Sequence, residues 1–189
     1  LCLPVYITIT KADQILGFSE YFEHLDDNRR HQMFGWSNPS ESGSYIETDV
    51  TTLFHDLEDQ LSQYRSSLML DGAFWEKRSD AGRAELAATT YAFPKAVGLL
   101  EKPVNDYLRT VFTPTQWDGS CHLMLRGVYL TAANNRGPVV IPGLTGQDQE
   151  PGKPRPKRHI GENRPFFIQD LFQNKVFPEH NIMFFDSLT

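Results

Sequence analysis

The chain has 189 residues, 40% of them hydrophobic and 22% charged, with 18 Lys and Arg against 24 Asp and Glu for a net charge of −6. That composition suits one ordinary globular domain and excludes a disordered, collagen-like or coiled-coil chain. The acidic balance argues against a protein that coats nucleic acid, because phosphate binding is driven by clustered cations. No apolar run is long enough to span a bilayer. Cys2 and Cys121 are the only cysteines, which excludes a disulfide scaffold or a Cys-x-x-Cys metal site and fits a reducing cytosol. The chain opens inside an apolar run without an initiator methionine and reads as a fragment of a longer protein.

Pro4 to Thr10 is β-branched and aromatic, which predicts a buried strand ending in Lys11-Ala12-Asp13. Gly17 breaks the chain, and Ser19 is read as the N-cap of a short helix carrying Tyr21, Phe22 and Leu25. A second short helix is expected from Arg29 to Phe34, stopping at Gly35, with a polar surface loop over 37–48. From Val50 through Leu53, Phe54, Leu57, Leu61, Tyr64 and Leu68 the apolar spacing is that of an amphipathic helix. A further helix is expected from the Ser79-Asp80 cap to about Ala92, another from Pro94, and a fourth with Pro103 in its first turn.

Leu123 to Thr131 returns to strand composition. Residues 134–165 hold six of the 12 prolines and five of the 13 glycines and read as a mobile loop. The basic run within it, Lys153 to Arg158, is a candidate phosphate or anionic-lipid contact, though such runs more often only solubilise a loop. A final amphipathic helix is expected from Pro165 with Phe167, Ile168, Leu171, Phe172 and Val176 on one stripe.

The sharpest chemical signal is a strand ending in Thr10-Lys11-Ala12-Asp13. In nucleotide-binding α/β folds ligands sit beyond the carboxyl ends of the strands. There a lysine stem can lie on a purine face while an aspartate accepts two hydrogen bonds from the base edge. The competing reading is that Thr10 and Asp13 merely cap the turn. A second strand ending in Thr131-Ala132 resembles the closing strand of a GTPase-like base pocket, whose small Ser/Thr-Ala pair offers backbone N–H groups. No GxxxxGK[ST] loop and no DxxG turn occurs, so these residues alone are not expected to hydrolyse a nucleotide. Gly17-Phe18-Ser19-Glu20-Tyr21 lacks the closing glycine of a nucleophile elbow. The six histidines show no HExxH or close pair and read as solvated surface groups.

Leu3 to Asp13 with Gly17-Phe18-Ser19-Glu20-Tyr21-Phe22 resembles the cytoplasmic region of the type VI secretion TssM/IcmF family. Phe34-Gly35-Trp36, Phe93-Pro94, Tyr107 to Phe112, Leu125-Arg126-Gly127-Val128-Tyr129 and Val176-Phe177-Pro178-Glu179 agree in the same order. The resemblance implies an inner-membrane protein whose cytoplasmic side carries a GTPase-like (P-loop NTPase-like) α/β domain with a helical extension. It further implies partnership with TssL, TssJ and the baseplate in an envelope-spanning complex, and GTP or ATP as cofactor of the parent protein, with none in this stretch and no metal.

On that reading residues 1–36 and 121–133 are the C-terminal part of the NTPase-like sheet, and 48–115 are a helical subdomain. Residues 134–164 are the loop and 165–180 the final helix. Carried onto this chain, Thr10, Lys11 and Asp13 are the base-recognition motif, with Thr131 and Ala132 as companions. Thr10 stands where the standard motif has asparagine, which implies weaker nucleotide affinity. The alternative, of a different class, is a helical interaction module without nucleotide binding, docking through the surface between Val50 and Phe112.

Overall fold

A computed structural model describes residues 2–39, 47–76, 79–112, 122–133 and 165–181. Two apolar strands lie at its centre. β1 (Cys2–Ile9) and β3 (His122–Leu130) pair in parallel, from Cys2 opposite His122 to Ile9 opposite Leu130. Parallel pairing requires a long crossover, and the helices between the two strands supply it. The register slips between Val5 and Tyr6, so that Arg126 stands as an extra residue on β3. β2 (Gly35–Ser37) pairs antiparallel on the other side of β3, giving the order β1-β3-β2. The expected arrangement of two neighbouring strands joined through a helical insertion is therefore present, in a mixed α/β structure that is mostly helical.

Local chemistry sets the short elements. α1 (Phe18–Phe22) starts one residue earlier than its expected Ser19 cap, because Gly17 takes a left-handed conformation at φ 91°. A Cβ on Gly17 would come within 2.6 Å of Phe93 Cβ and 2.5 Å of the Thr89 carbonyl oxygen, so the position needs glycine. α2 (Asp27–His31) also starts earlier than expected, at an Asp26 cap whose carboxylate accepts from the Arg29 N–H at 2.8 Å. It ends before Phe34, and Gly35 opens β2, a strand the sequence did not announce.

α3 (Glu47–Leu70) buries Val50, Leu53, Phe54, Leu57, Leu61 and Leu68, following the predicted spacing. α4 (Gly72–Trp75) follows an Asp71 cap. α5 (Asp80–Gly98) begins at the expected Ser79 cap but runs straight through Pro94 rather than breaking there. An interior proline costs about 3 kcal/mol. Here Leu86, Phe93, Pro94, Ala96 and Val97 are all buried, and packing along that stripe outweighs the lost hydrogen bond. α6 (Glu101–Phe112) has Pro103 in its first turn, as expected, and buries Val104, Asn105 and Leu108.

After β3, Phe166 pairs with Ala132 across an isolated antiparallel bridge, with N–H···O distances of 2.7 and 3.1 Å. The final segment is not the helix expected from Pro165. Phe167 sits at φ 64°, and the chain winds only afterwards, as a π-helix α7 (Leu171–Val176) and a 3₁₀ turn (Pro178–Asn181). Phe166, Phe167 and Leu171 are buried, whereas Phe172 is 43% exposed, so the expected stripe is only partly inward. One aromatic cluster joins these parts: Phe93 meets Tyr21 at 4.5 Å and Phe22 at 5.6 Å between ring centroids, and Phe22 meets Phe167 at 5.1 Å. The expected loop over 134–164, with its basic run, lies outside the described residues, as do 40–46 of the expected surface loop. Among the described residues no helix is long and apolar enough to cross a membrane.

Candidate functional site

The carboxyl ends of β1 and β3 meet. The Thr131 N–H donates to the Ile9 carbonyl at 2.9 Å, and the Ala12 N–H donates back to the Thr131 carbonyl at 3.0 Å. This brings Thr10, Lys11 and Asp13 beside Thr131 and Ala132, so the five sequence-predicted residues converge although more than a hundred positions separate the two groups.

Their backbones and side chains differ in character. Thr10 and Lys11 are exposed, and Lys11 occupies the left-handed region at φ 60°, ψ 33°, as the residue before a 3₁₀ turn (Ala12–Gln14). A non-glycine residue there costs roughly 1–2 kcal/mol. Ala12 is buried at the seam between the strand ends. Asp13 is half-buried, and its Oδ1 is fully enclosed without a hydrogen-bond partner among the described residues. Burial pushes the Asp13 carboxyl above its ordinary range, against the opposing pull of its own backbone N–H and the Lys11 charge. A strained backbone and an unsatisfied carboxylate oxygen, two residues apart, are features a fold tolerates at functional sites.

Thr131 and Ala132 are buried, and their N–H groups are taken: Thr131 donates to Ile9, and Ala132 to the Phe166 carbonyl. Phe166 is held in turn, because the Phe167 N–H donates to the Arg30 carbonyl at 2.6 Å and the Arg30 guanidinium lies 4.9 Å over the Phe166 ring. Of the five residues, Thr10 and Lys11 are the exposed ones.

A second polar cluster lies further down the same strands and was not read from the sequence. Glu179 accepts from Arg126 Nε at 2.9 Å and from a terminal guanidinium nitrogen at 3.1 Å, from Tyr6 Oη at 2.5 Å, and pairs with Lys175 at 2.6 Å. Burial alone would raise the Glu179 carboxyl, but the bonds from Arg126, Lys175 and Tyr6 outweigh it and hold the group at about 2. Burial and the Glu179 carboxylate push the Tyr6 hydroxyl well above its usual value. The bulge turns Arg126 toward this cluster. Its signal in the sequence was an arginine inside an apolar strand, which calls for a buried acidic partner. Among the described residues no group of three His, Cys, Asp or Glu side chains is placed to hold a metal ion.

Comparison with known proteins bears on all of this. The chain is 27% identical over 182 residues to the type VI secretion system component TssM1 of Pseudomonas aeruginosa, covering 95% of this chain and 16% of that protein. No solved structure matches. The profile of the IcmF-related N-terminal domain spans residues 1–187. The chain therefore belongs to the IcmF-related N-terminal domain family.

Proposed function

We propose that this chain is part of a type VI secretion component of the bacterial inner membrane, facing the cytoplasm. There it serves assembly of the envelope-spanning complex with TssL and TssJ and docking of the baseplate. Its strands are the last part of a P-loop NTPase-like sheet, and the Thr10–Asp13 turn is the base-recognising end of a GTP or ATP site whose phosphate loop lies elsewhere in the parent protein. The match to TssM1 supports the secretion role. The observation that supports the nucleotide part is the exposed Thr10 and Lys11 beside Thr131 at the shared carboxyl ends of two parallel strands. A base edge would reach the Asp13 carboxylate only if the turn opened, because Oδ1 is sealed from solvent, whereas the Lys11 stem is exposed and could cover the ring.

Isothermal titration of the full-length protein with GTP and with ATP tests this. Saturable heat that Asp13→Ala abolishes is expected; no heat with either nucleotide, or an Asp13→Ala protein indistinguishable from wild type, removes the nucleotide part. A second reading, a helical docking module, draws support from the Thr131 and Ala132 N–H groups, both of which are spent inside the fold. Capture of baseplate proteins that depends on exposed residues of α3, α5 and α6 and is unaffected by Asp13→Ala would favour it.

A further inference from the structure

Among the described residues, three backbone bonds close the turn that follows β1. The Gln14 N–H donates to the Lys11 carbonyl at 2.9 Å, the Ile15 N–H to the Ala12 carbonyl at 3.0 Å, and the Ala12 N–H to the Thr131 carbonyl at 3.0 Å. Two features of the same turn work against them. Lys11 holds a left-handed backbone at φ 60°, which a residue with a Cβ disfavours. Asp13 Oδ1 is enclosed with no hydrogen-bond partner among the described residues, so it has given up water and received nothing in exchange.

One movement relieves both. If the 3₁₀ turn unwinds about Lys11, the backbone returns to an ordinary conformation and Oδ1 reaches water beside the exposed Thr10 and Lys11. Ala12 and Ile15, on either side of Asp13, are buried in the core and keep the closed form dominant. An element with two arrangements of this kind answers to whatever favours one of them.

We infer that the Lys11–Gln14 turn is a latch, in which a dominant closed form stows the Asp13 carboxyl and a minor open form presents it at the strand ends to a ligand bearing N–H donors. This goes beyond the nucleotide reading and does not rest on it, because the turn opens without ligand. A ligand that needs the open form binds with an affinity reduced by the open fraction.

Protons set the balance of the latch. Burial favours the neutral carboxyl in the closed form, and the charge opposing it is that of Lys11. α1, which packs on the turn, adds the titratable Glu20 and Tyr21, and the Tyr21 hydroxyl donates to the Leu61 carbonyl at 3.1 Å. The end of β3 adds Thr131 and Ala132, which do not titrate. Rising pH therefore takes the proton from Asp13 and draws the turn open. The open population grows by at most about tenfold per pH unit, between the ordinary carboxyl value of 3.8 and the raised one.

Hydrogen exchange of the full-length protein between pH 4 and 7 tests the proposal, read residue by residue and corrected for the intrinsic effect of pH. The reference amides are Leu130 and Thr131, which donate to the Phe34 and Ile9 carbonyls across the sheet. Relative to these, the Ala12, Gln14 and Ile15 amides are expected to lose protection several-fold as pH rises. Asp13→Asn, which cannot ionise, is expected to hold their protection constant. Turn amides that follow the sheet amides at every pH overturn the proposal, as a carboxylate paired elsewhere in the parent protein would produce. A pH-driven loss that persists in Asp13→Asn overturns it equally.

Discussion

The Ala12 N–H donates to the Thr131 carbonyl across 3.0 Å, stitching the turn after β1 to the end of β3. With the Thr131 N–H to Ile9 bond and the turn's own bonds to the Lys11 and Ala12 carbonyls, it sets where Lys11 and Asp13 stand against the neighbouring strand. Two consequences concern stability at that turn, and two concern the elements that support it.

Replacing Lys11 by glycine removes a side chain from backbone at φ 60°. Lys11→Gly is expected to leave stability unchanged or raise it by up to about 1 kcal/mol in chemical denaturation. The same variant should weaken nucleotide binding under the function proposed above, so a gain in stability with a loss of binding marks strain kept for a purpose.

Asp13 has its carboxyl raised by burial, so between its usual value of 3.8 and the raised one the native state binds more protons than the unfolded chain. Stability from this group therefore falls as pH climbs through that window. Asp13→Asn is expected to melt at or above the wild-type temperature at pH 7, with the difference shrinking toward pH 4. Thermal unfolding across that range, with Asp13→Asn less stable at pH 7 than at pH 4 relative to wild type, would contradict it.

Glu179 has the opposite sign. Its carboxyl is lowered from 4.5 to about 2, so the stability it confers is complete above pH 4.5 and is lost as pH falls toward 2. Glu179→Gln should cost about 3 kcal/mol at neutral pH, since it leaves Arg126 and Lys175 without their carboxylate. Near pH 2 the penalty should vanish. Urea unfolding at the two pH values measures both.

Phe93 and Gly17 form one contact between α1 and α5. Phe93→Ala opens a cavity among Phe18, Tyr21 and Phe22 and is expected to cost about 3–5 kcal/mol. Gly17→Ala should cost about 2 kcal/mol from the positive φ and the approach of the Thr89 carbonyl. The Phe93 atom a Gly17 methyl would meet is Cβ, which alanine keeps, so the two costs should be close to additive, which a double-mutant cycle reads directly.

Periodicity made α3 legible, since its six buried side chains recur at helical spacing, and β-branched composition marked both β1 and β3. The side-by-side placing of the β1 and β3 ends was legible too, and Ala12 and Thr131 carry it. What escaped the sequence was decided by distant packing. Pro94 stays helical because its neighbours are buried, a fact no local propensity carries. β2 is only three residues long and exists through its pairing with β3. Glu179 and Arg126 lie 53 positions apart, and Phe166 reaches Ala132 from beyond 134–164. Neither pairing leaves a periodic trace.

The stretch from Phe166 to Glu179 is moored by backbone at Ala132 and Arg30 and by its Glu179 carboxylate at Arg126 and Tyr6. A peptide beginning at Pro165 and a polypeptide ending at Ala133 should recombine as complementary halves.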